Sequence, residues 1–206
     1  MSSSPRPGIC IAVTGGIACG KTTVCNFFQA WGAEIWDADM EAHRLIAPGG
    51  AAVEPVLRTF GADLRDAHGG VNRPQLAKRV FADETALATL NALLHPPIIR
   101  ASKEWARNIQ CTPGARGVAA IPLFFECGMR PGPPWHTVLC LSSTRSTMLR
   151  RLLDRGLTEA EAMTRIDSQW PVGEKAARAT ALIENDGSLA DLEAACRSFW
   201  NQLPAV

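Results

Sequence analysis

The amino-acid sequence predicts a three-layer α/β domain with about five parallel strands and a helical insertion. Three features predict it. Short unbroken apolar runs alternate with helix-length segments, as in parallel sheets covered on both faces; a glycine-rich loop joins the first run to the first helix; and no strand signal occurs from Ala51 to about Gln110. The size suits one compact domain: 206 residues, 47% hydrophobic and 20% charged. A chain of this mass hides roughly 70% of its extended surface on folding, so it builds a core without disulfide staples.

In chain order, residues 9–13 read as a strand and residues 21–31, which contain no breaker, as a helix. Residues 34–36 form a second short strand ending at Asp37-Ala38-Asp39, and residues 40–46 a second helix. The insertion, over about residues 51–112, carries three helix starts: Asn72 before Pro74, Asp83 before Glu84, and a Pro96-Pro97 step ahead of a helix over 98–109. Strand character returns at 117–121, at 137–141 and weakly at 181–183, with a Pro- and Gly-rich loop over 128–134. Thr158 with Glu161 resembles a capping box, and Ser188 with Asp191 starts the last helix, which ends near Leu203. Residues 9–50 and 115–206 thus form the core, and residues 1–8 read as a short frayed leader.

Charge and cysteine content exclude several classes. The 21 basic and 20 acidic residues leave a net charge of +1, which gives no overall footprint for nucleic acid or an acidic membrane, so any anion site is local. Four of the basic residues are Lys, leaving 17 Arg; the guanidinium fork suits phosphate, although such a bias also follows genome composition. Seven Cys without a C-x-x-C pair indicate neither a zinc knuckle nor a secreted disulfide framework. A cytoplasmic protein, monomeric or weakly self-associating, with no nucleic-acid or membrane partner, is the expectation.

Gly15-Gly16-Ile17-Ala18-Cys19-Gly20-Lys21-Thr22 satisfies G-x-x-x-x-G-K-[ST] between a predicted strand and a predicted helix. Loop amides and the first turn of the helix point at a polyphosphate there, with the helix dipole adding to them. Lys21 supplies a charge to the β and γ phosphates of ATP, Thr22 a hydroxyl to Mg²⁺, and Thr23 lies within reach of an inner phosphate. Ala18 is expected to avoid positive φ, because a left-handed residue with a Cβ costs about 1 kcal/mol or more. Cys19, beside loop amides and Lys21, is expected to have a lowered thiol pKa and be open to oxidation, or to be a small side chain of no consequence. No N-K-x-D accompanies the loop, which argues against a guanine-nucleotide switch. Asp37 and Asp39 end the second strand on the loop's side of the sheet. A carboxylate there accepts a hydrogen bond from an attacking hydroxyl or holds Mg²⁺ through water; the alternative is a helix cap.

Beyond the loop, D-A-D at 37–39, N-A-L-L-H-P at 91–96, I-P-L-F-F-E at 121–126 and I-E-N-D-G at 183–187 follow in order over nearly the whole chain. In this combination the sequence resembles the dephospho-CoA kinase family. The resemblance implies a P-loop NTPase fold, a helical CoA- or acceptor-binding insertion and a lid over about residues 144–176. It also implies transfer of the ATP γ-phosphoryl group to the ribose 3′-hydroxyl of dephospho-CoA, the last step of CoA synthesis, with Mg²⁺ as cofactor. Asp39 then orients and deprotonates that hydroxyl, while Arg151 and Arg155, four apart on one helical face, fold over the phosphates unless they are a solvated face. The family's R-D-G-L reads Arg155-Gly156-Leu157 here, without the Asp, and Ser142 replaces an Asp that often ends the strand. His95 stands by the acceptor pocket or is structural; Arg73 and Arg79 meet CoA phosphates or solvent; Glu126 orients Mg²⁺ or the acceptor, or pairs with an Arg. Asn185 lines the adenine pocket or serves a turn. The other histidines, His43 among them, carry no role in this reading. Another small-molecule P-loop kinase, or a non-catalytic ATP-dependent regulator, remains the alternative.

Overall fold

The structure, a computed structural model, describes residues 6–81 and 83–204, so the first five leader residues lie outside it. The chain divides into two compact units: one runs up to Trp36 and resumes from Lys103 onward, and the other is Asp37–Ser102.

The first unit is built on β1 (Ile9–Gly15), β2 (Glu34–Asp37), β3 (Arg116–Ala120), β4 (Thr137–Ser142) and β5 (Ala181–Glu184), in the sheet order β2-β3-β1-β4-β5. β1 is central and buried at every position, which is why it reads as a continuous apolar run rather than an alternating one. It pairs in parallel with β3, Ile11 opposite Val118, and with β4, Val13 opposite Leu139; β4 pairs in parallel with β5. α1 (Lys21–Ala30) and α9 (Leu189–Gln202) pack against each other, and Phe28 stacks on Trp200 with ring centroids 5.0 Å apart. α6 (Arg145–Leu153), α7 (Glu159–Asp167) and α8 (Val172–Arg178) fill the stretch between β4 and β5. The Thr158–Glu161 and Ser188–Asp191 capping boxes form as the sequence predicts, and α9 ends with Leu203 as its C-cap.

The second unit holds α2 (Ala38–Ile46), α3 (Val53–Phe60), a 3-10 turn at Ala62–Leu64, α4 (Arg73–Phe81) and α5 (Glu84–Cys111) as far as Ser102. Asn72 and Asp83 accept amide hydrogen bonds at the starts of α4 and α5, as expected. The Pro96-Pro97 step does not begin a new helix: α5 runs through both prolines. Two prolines remove two amide donors, but Leu87, Leu90, Leu94 and Ile98 continue one apolar stripe past them onto the core of Val56, Leu57, Leu64 and Val80. Packing on both sides of the break outweighs the local cost.

Replacing Phe28, fully buried against Trp200, with Ala should lower stability by about 3–5 kcal/mol, and removing the Thr158 cap with Thr158→Ala by about 1 kcal/mol. Urea denaturation of the two variants measures both.

Candidate active site

The loop between β1 and α1 is shaped by residues that take positive φ: Gly15 at 137°, Gly20 at 93° and, against expectation, Ala18 at 58°. A Cβ on Gly15 would run into the carbonyl of Leu141, and one on Gly20 would lie 2.5 Å from Asn185 Nδ2. Around this backbone, protein donors converge on carbonyls. Lys21 Nζ donates to Gly15 O at 3.2 Å and Gly16 O at 2.7 Å, Arg151 Nη1 to Ala18 O at 3.1 Å, and Asn185 Nδ2 to Cys19 O at 3.0 Å. A trans peptide is planar, so a carbonyl drawn one way sends the next amide the other. The amides of Ile17 and Gly20 therefore face away from those donors. α1 itself starts on Gly20 with no side-chain cap and no acidic residue in its first turn, which leaves its first amides open to an anion. Thr22 is exposed and Thr23 half-buried in that turn.

Arg151 and Asn185 act as one support. Arg151 also donates to Ser143 Oγ and, through Nη2, to Asn185 Oδ1, each at 3.2 Å. Asn185, 5% exposed, is no turn ornament: both ends of its amide are engaged, its N–H donates to Ser142 O and its carbonyl accepts from Ser143 Oγ. Arg155 is placed differently from the expectation. α6 stops at Leu153 with Asp154 as C-cap, so Arg155 lies beyond the helix, exposed, and does not share a helical face with Arg151. Arg145 closes on Asp167 with two hydrogen bonds of 2.7 and 2.9 Å, joining α6 to α7. A cavity of about 330 Å³ opens beside the loop, lined by Gly16, Ile17, Met148, Ile166, Trp170 and Val172.

Cys19 is fully buried, and burial pushes its thiol pKa up despite the Ser143 hydrogen bond and the charges of Lys21 and Arg151. The expected reactive thiolate is therefore overturned: desolvation outweighs the nearby cations.

Glu126 has a partner, and it is a lysine rather than an arginine. Lys175 on α8, with no solvent exposure, places Nζ 2.5 Å from Glu126 Oε1 and donates to Pro122 O at 3.2 Å. The same Pro122 carbonyl accepts from Thr14 Oγ1 at the end of β1, and Glu126 Oε1 also accepts from the Trp170 amide at 3.3 Å. Glu126 Oε2 is buried without a partner among the described residues. Sequence reasoning missed Lys175; the available signal was a Lys, one of only four, two residues after a glycine in a helix otherwise rich in small residues.

In the helical unit, Asp37 and Asp39 separate by role. Asp37 is the N-cap of α2, its Oδ1 accepting from the amides of Asp39 at 2.7 Å and Met40 at 3.1 Å, while Asp39 stands exposed in the first turn. Arg79 is not available to a phosphate in this arrangement. It holds Asp63 through Nη2 at 2.8 Å and Nη1 at 3.3 Å, donates to the Phe60 carbonyl, and keeps the Asp63 carboxyl below its usual pKa. Arg73 is exposed at the start of α4, and His95 is half-buried in α5.

Lys175→Met strands the Glu126 carboxylate in a buried site and should cost about 3–5 kcal/mol, whereas Lys175→Met combined with Glu126→Gln should recover most of that loss. Thermal or urea unfolding of the single and double variants checks it.

Comparison with known proteins agrees with the geometry. The sequence model of the dephospho-CoA kinase family matches residues 9–191. A dephospho-CoA kinase of Corynebacterium diphtheriae is 39% identical over 197 residues, covering 93% of this chain and 96% of its own. One of Arabidopsis thaliana is 36% identical, covering 88% and 78%. Among solved structures, TT1252 from Thermus thermophilus superposes with a TM-score of 0.76 at 32% identity, over 97% of this chain and 100% of its own. A shikimate kinase from Acinetobacter baumannii, at 16% identity and a TM-score of 0.51, shares the fold. With the family matched along most of its length and its phosphate loop formed, the chain belongs to the dephospho-CoA kinase family.

Proposed function

We infer that this chain transfers the γ-phosphoryl group of ATP to the ribose 3′-hydroxyl of dephospho-CoA, giving CoA and ADP in the last step of CoA synthesis. Family membership supports the reaction. The structural observation that carries it is the loop whose carbonyls at Gly15, Gly16, Ala18 and Cys19 are occupied by protein donors, because a loop so arranged offers its amides to a polyphosphate.

In this reading residues 15–23 wrap the ATP phosphates and Lys21 offsets charge on the transferring group. Arg151 and Asn185 hold the loop in shape from the protein side, and Arg155 reaches the phosphates only from beyond the end of α6. Among the described residues no group of three or more His, Cys, Asp or Glu could hold a metal ion. The exposed Thr22 hydroxyl is the oxygen donor beside Lys21, which fits Mg²⁺ arriving with the nucleotide and keeping phosphate and water as its other ligands. When bound, Mg²⁺ offsets the negative charge of the β and γ phosphates.

Asp39 orients the acceptor hydroxyl and takes its proton. An aspartate carboxylate is a weak base for a sugar hydroxyl, so in a loose transition state its placement matters more than its basicity. Asp37, committed to capping α2, keeps the turn that presents Asp39 in place. Arg73 and His95 belong to the acceptor side, and Glu126 works through Lys175. In this reading the chain works in the cytoplasm, as a monomer or with weak self-association.

The test is MgATP-dependent conversion of dephospho-CoA to CoA followed by mass, with Lys21→Ala and Asp39→Asn beside the wild type. Wild type should make product, and Asp39→Asn should lose about 100-fold or more in kcat. An Asp39→Asn rate within a factor of about three of wild type removes that residue from the chemistry. Phosphorylation of another alcohol in place of dephospho-CoA would move the chain to a different acceptor.

A further inference from the structure

The arginines of the helical unit that close on another side chain have partners of two kinds. Arg44, Arg65 and Arg79 each close on a carboxylate, Glu41 at 2.6 Å, Glu54 at 2.7 Å and Asp63 at 2.8 Å. Arg73 instead closes on an imidazole, its Nη2 lying 2.6 Å from Nε2 of His43. A guanidinium has five N–H donors and no acceptor, so Arg73 donates and His43 Nε2 accepts. That assignment puts the ring proton on Nδ1 and leaves His43 neutral.

The consequence is electrostatic. A carboxylate partner both orients an arginine and cancels its charge; a neutral imidazole orients it and leaves the charge standing. A phosphate approaching Arg79 must compete with Asp63, whereas one approaching Arg73, exposed at the start of α4, meets a guanidinium held at Nη2 by an imidazole in place of a carboxylate. The placement also fits the reaction. His43 lies four residues after Asp39 on α2, on the same helical face, while the buried Ala38, Glu41 and Leu45 are turned away from it. Asp39, His43 and the Arg73 fork it carries thus share one face of this unit.

Resting on the dephospho-CoA kinase reading above, we propose that Arg73 binds the diphosphate of the acceptor and that His43 is the positioning residue that holds Arg73 for it. The pair fixes where the acceptor's diphosphate sits on the helical unit that presents Asp39.

Calorimetric titration of dephospho-CoA into the full-length protein without ATP reads the proposal independently of turnover, and the product assay runs beside it. Losing a charge-assisted contact predicts that Arg73→Ala weakens binding about tenfold or more and His43→Ala about three- to tenfold. The His43→Ala/Arg73→Ala double variant should be no weaker than Arg73→Ala alone. His43→Gln, which keeps an acceptor in reach of Arg73, should bind within about twofold of wild type, a rescue that a purely structural histidine would not show. Arg65→Ala, whose fork serves Glu54, leaves the affinity unchanged, and the KM for MgATP stays within about twofold throughout. Wild-type affinity in Arg73→Ala or His43→Ala, failure of His43→Gln to rescue, or additive losses in the double variant overturns the proposal. Wild type that binds dephospho-CoA but does not phosphorylate it refutes the activity reading and leaves the binding ratios to judge the pair. Wild type that does not bind it overturns both.

Discussion

A loop that binds a polyanion through its amides must first find donors for its own carbonyls, and that requirement organises the sheet unit of this chain. Carbonyl oxygens left facing the phosphates would repel them. Lys21, Arg151 and Asn185 take the carbonyls of Gly15, Gly16, Ala18 and Cys19 out of the way, and three separate segments, α1, α6 and the end of β5, are needed to do it. The strained Ala18 follows from the same demand. Its left-handed backbone costs about 1 kcal/mol or more, and a hydrogen bond from a charged guanidinium contributes about 1.5–3 kcal/mol, so the loop keeps the strain.

The Lys175–Glu126 pair answers a related demand. Burying two charges costs several kcal/mol per ion even after relaxation, so the pair is poor evidence of added stability. Its geometry shows what it joins instead: α8 through Lys175, the turn after β3 through Pro122 and Glu126, the end of β1 through Thr14, and the Trp170 backbone ahead of α8. These are the segments that flank the phosphate loop and its neighbouring cavity, so a charge-assisted network replaces the apolar contacts that could hold them together with less precision. In the helical unit the division of labour is simpler. One carboxylate, Asp37, satisfies the first amides of α2, and the next, Asp39, is thereby presented from a fixed turn.

How far the sequence determined this protein depends on how local the cause is. The strands, the phosphate loop and the caps at Asn72, Asp83, Thr158 and Ser188 were legible in it, because each rests on residues within a few positions of one another, and the family was legible as a series of such short motifs in order along the chain. What only the tertiary structure decided are the properties set by distant neighbours. α5 continues through Pro96-Pro97 because its apolar stripe packs both before the prolines, through Leu87, Leu90 and Leu94, and after them, through Ile98. The Cys19 thiol pKa is raised because burial outweighs the cations beside it, and the left-handed Ala18 has its carbonyl held by Arg151, 133 positions away. Arg73 and Arg79 look alike in the sequence; a carboxylate from Asp63 neutralises one and an imidazole from His43 leaves the other charged, since charge compensation acts through space and leaves no trace in local pattern.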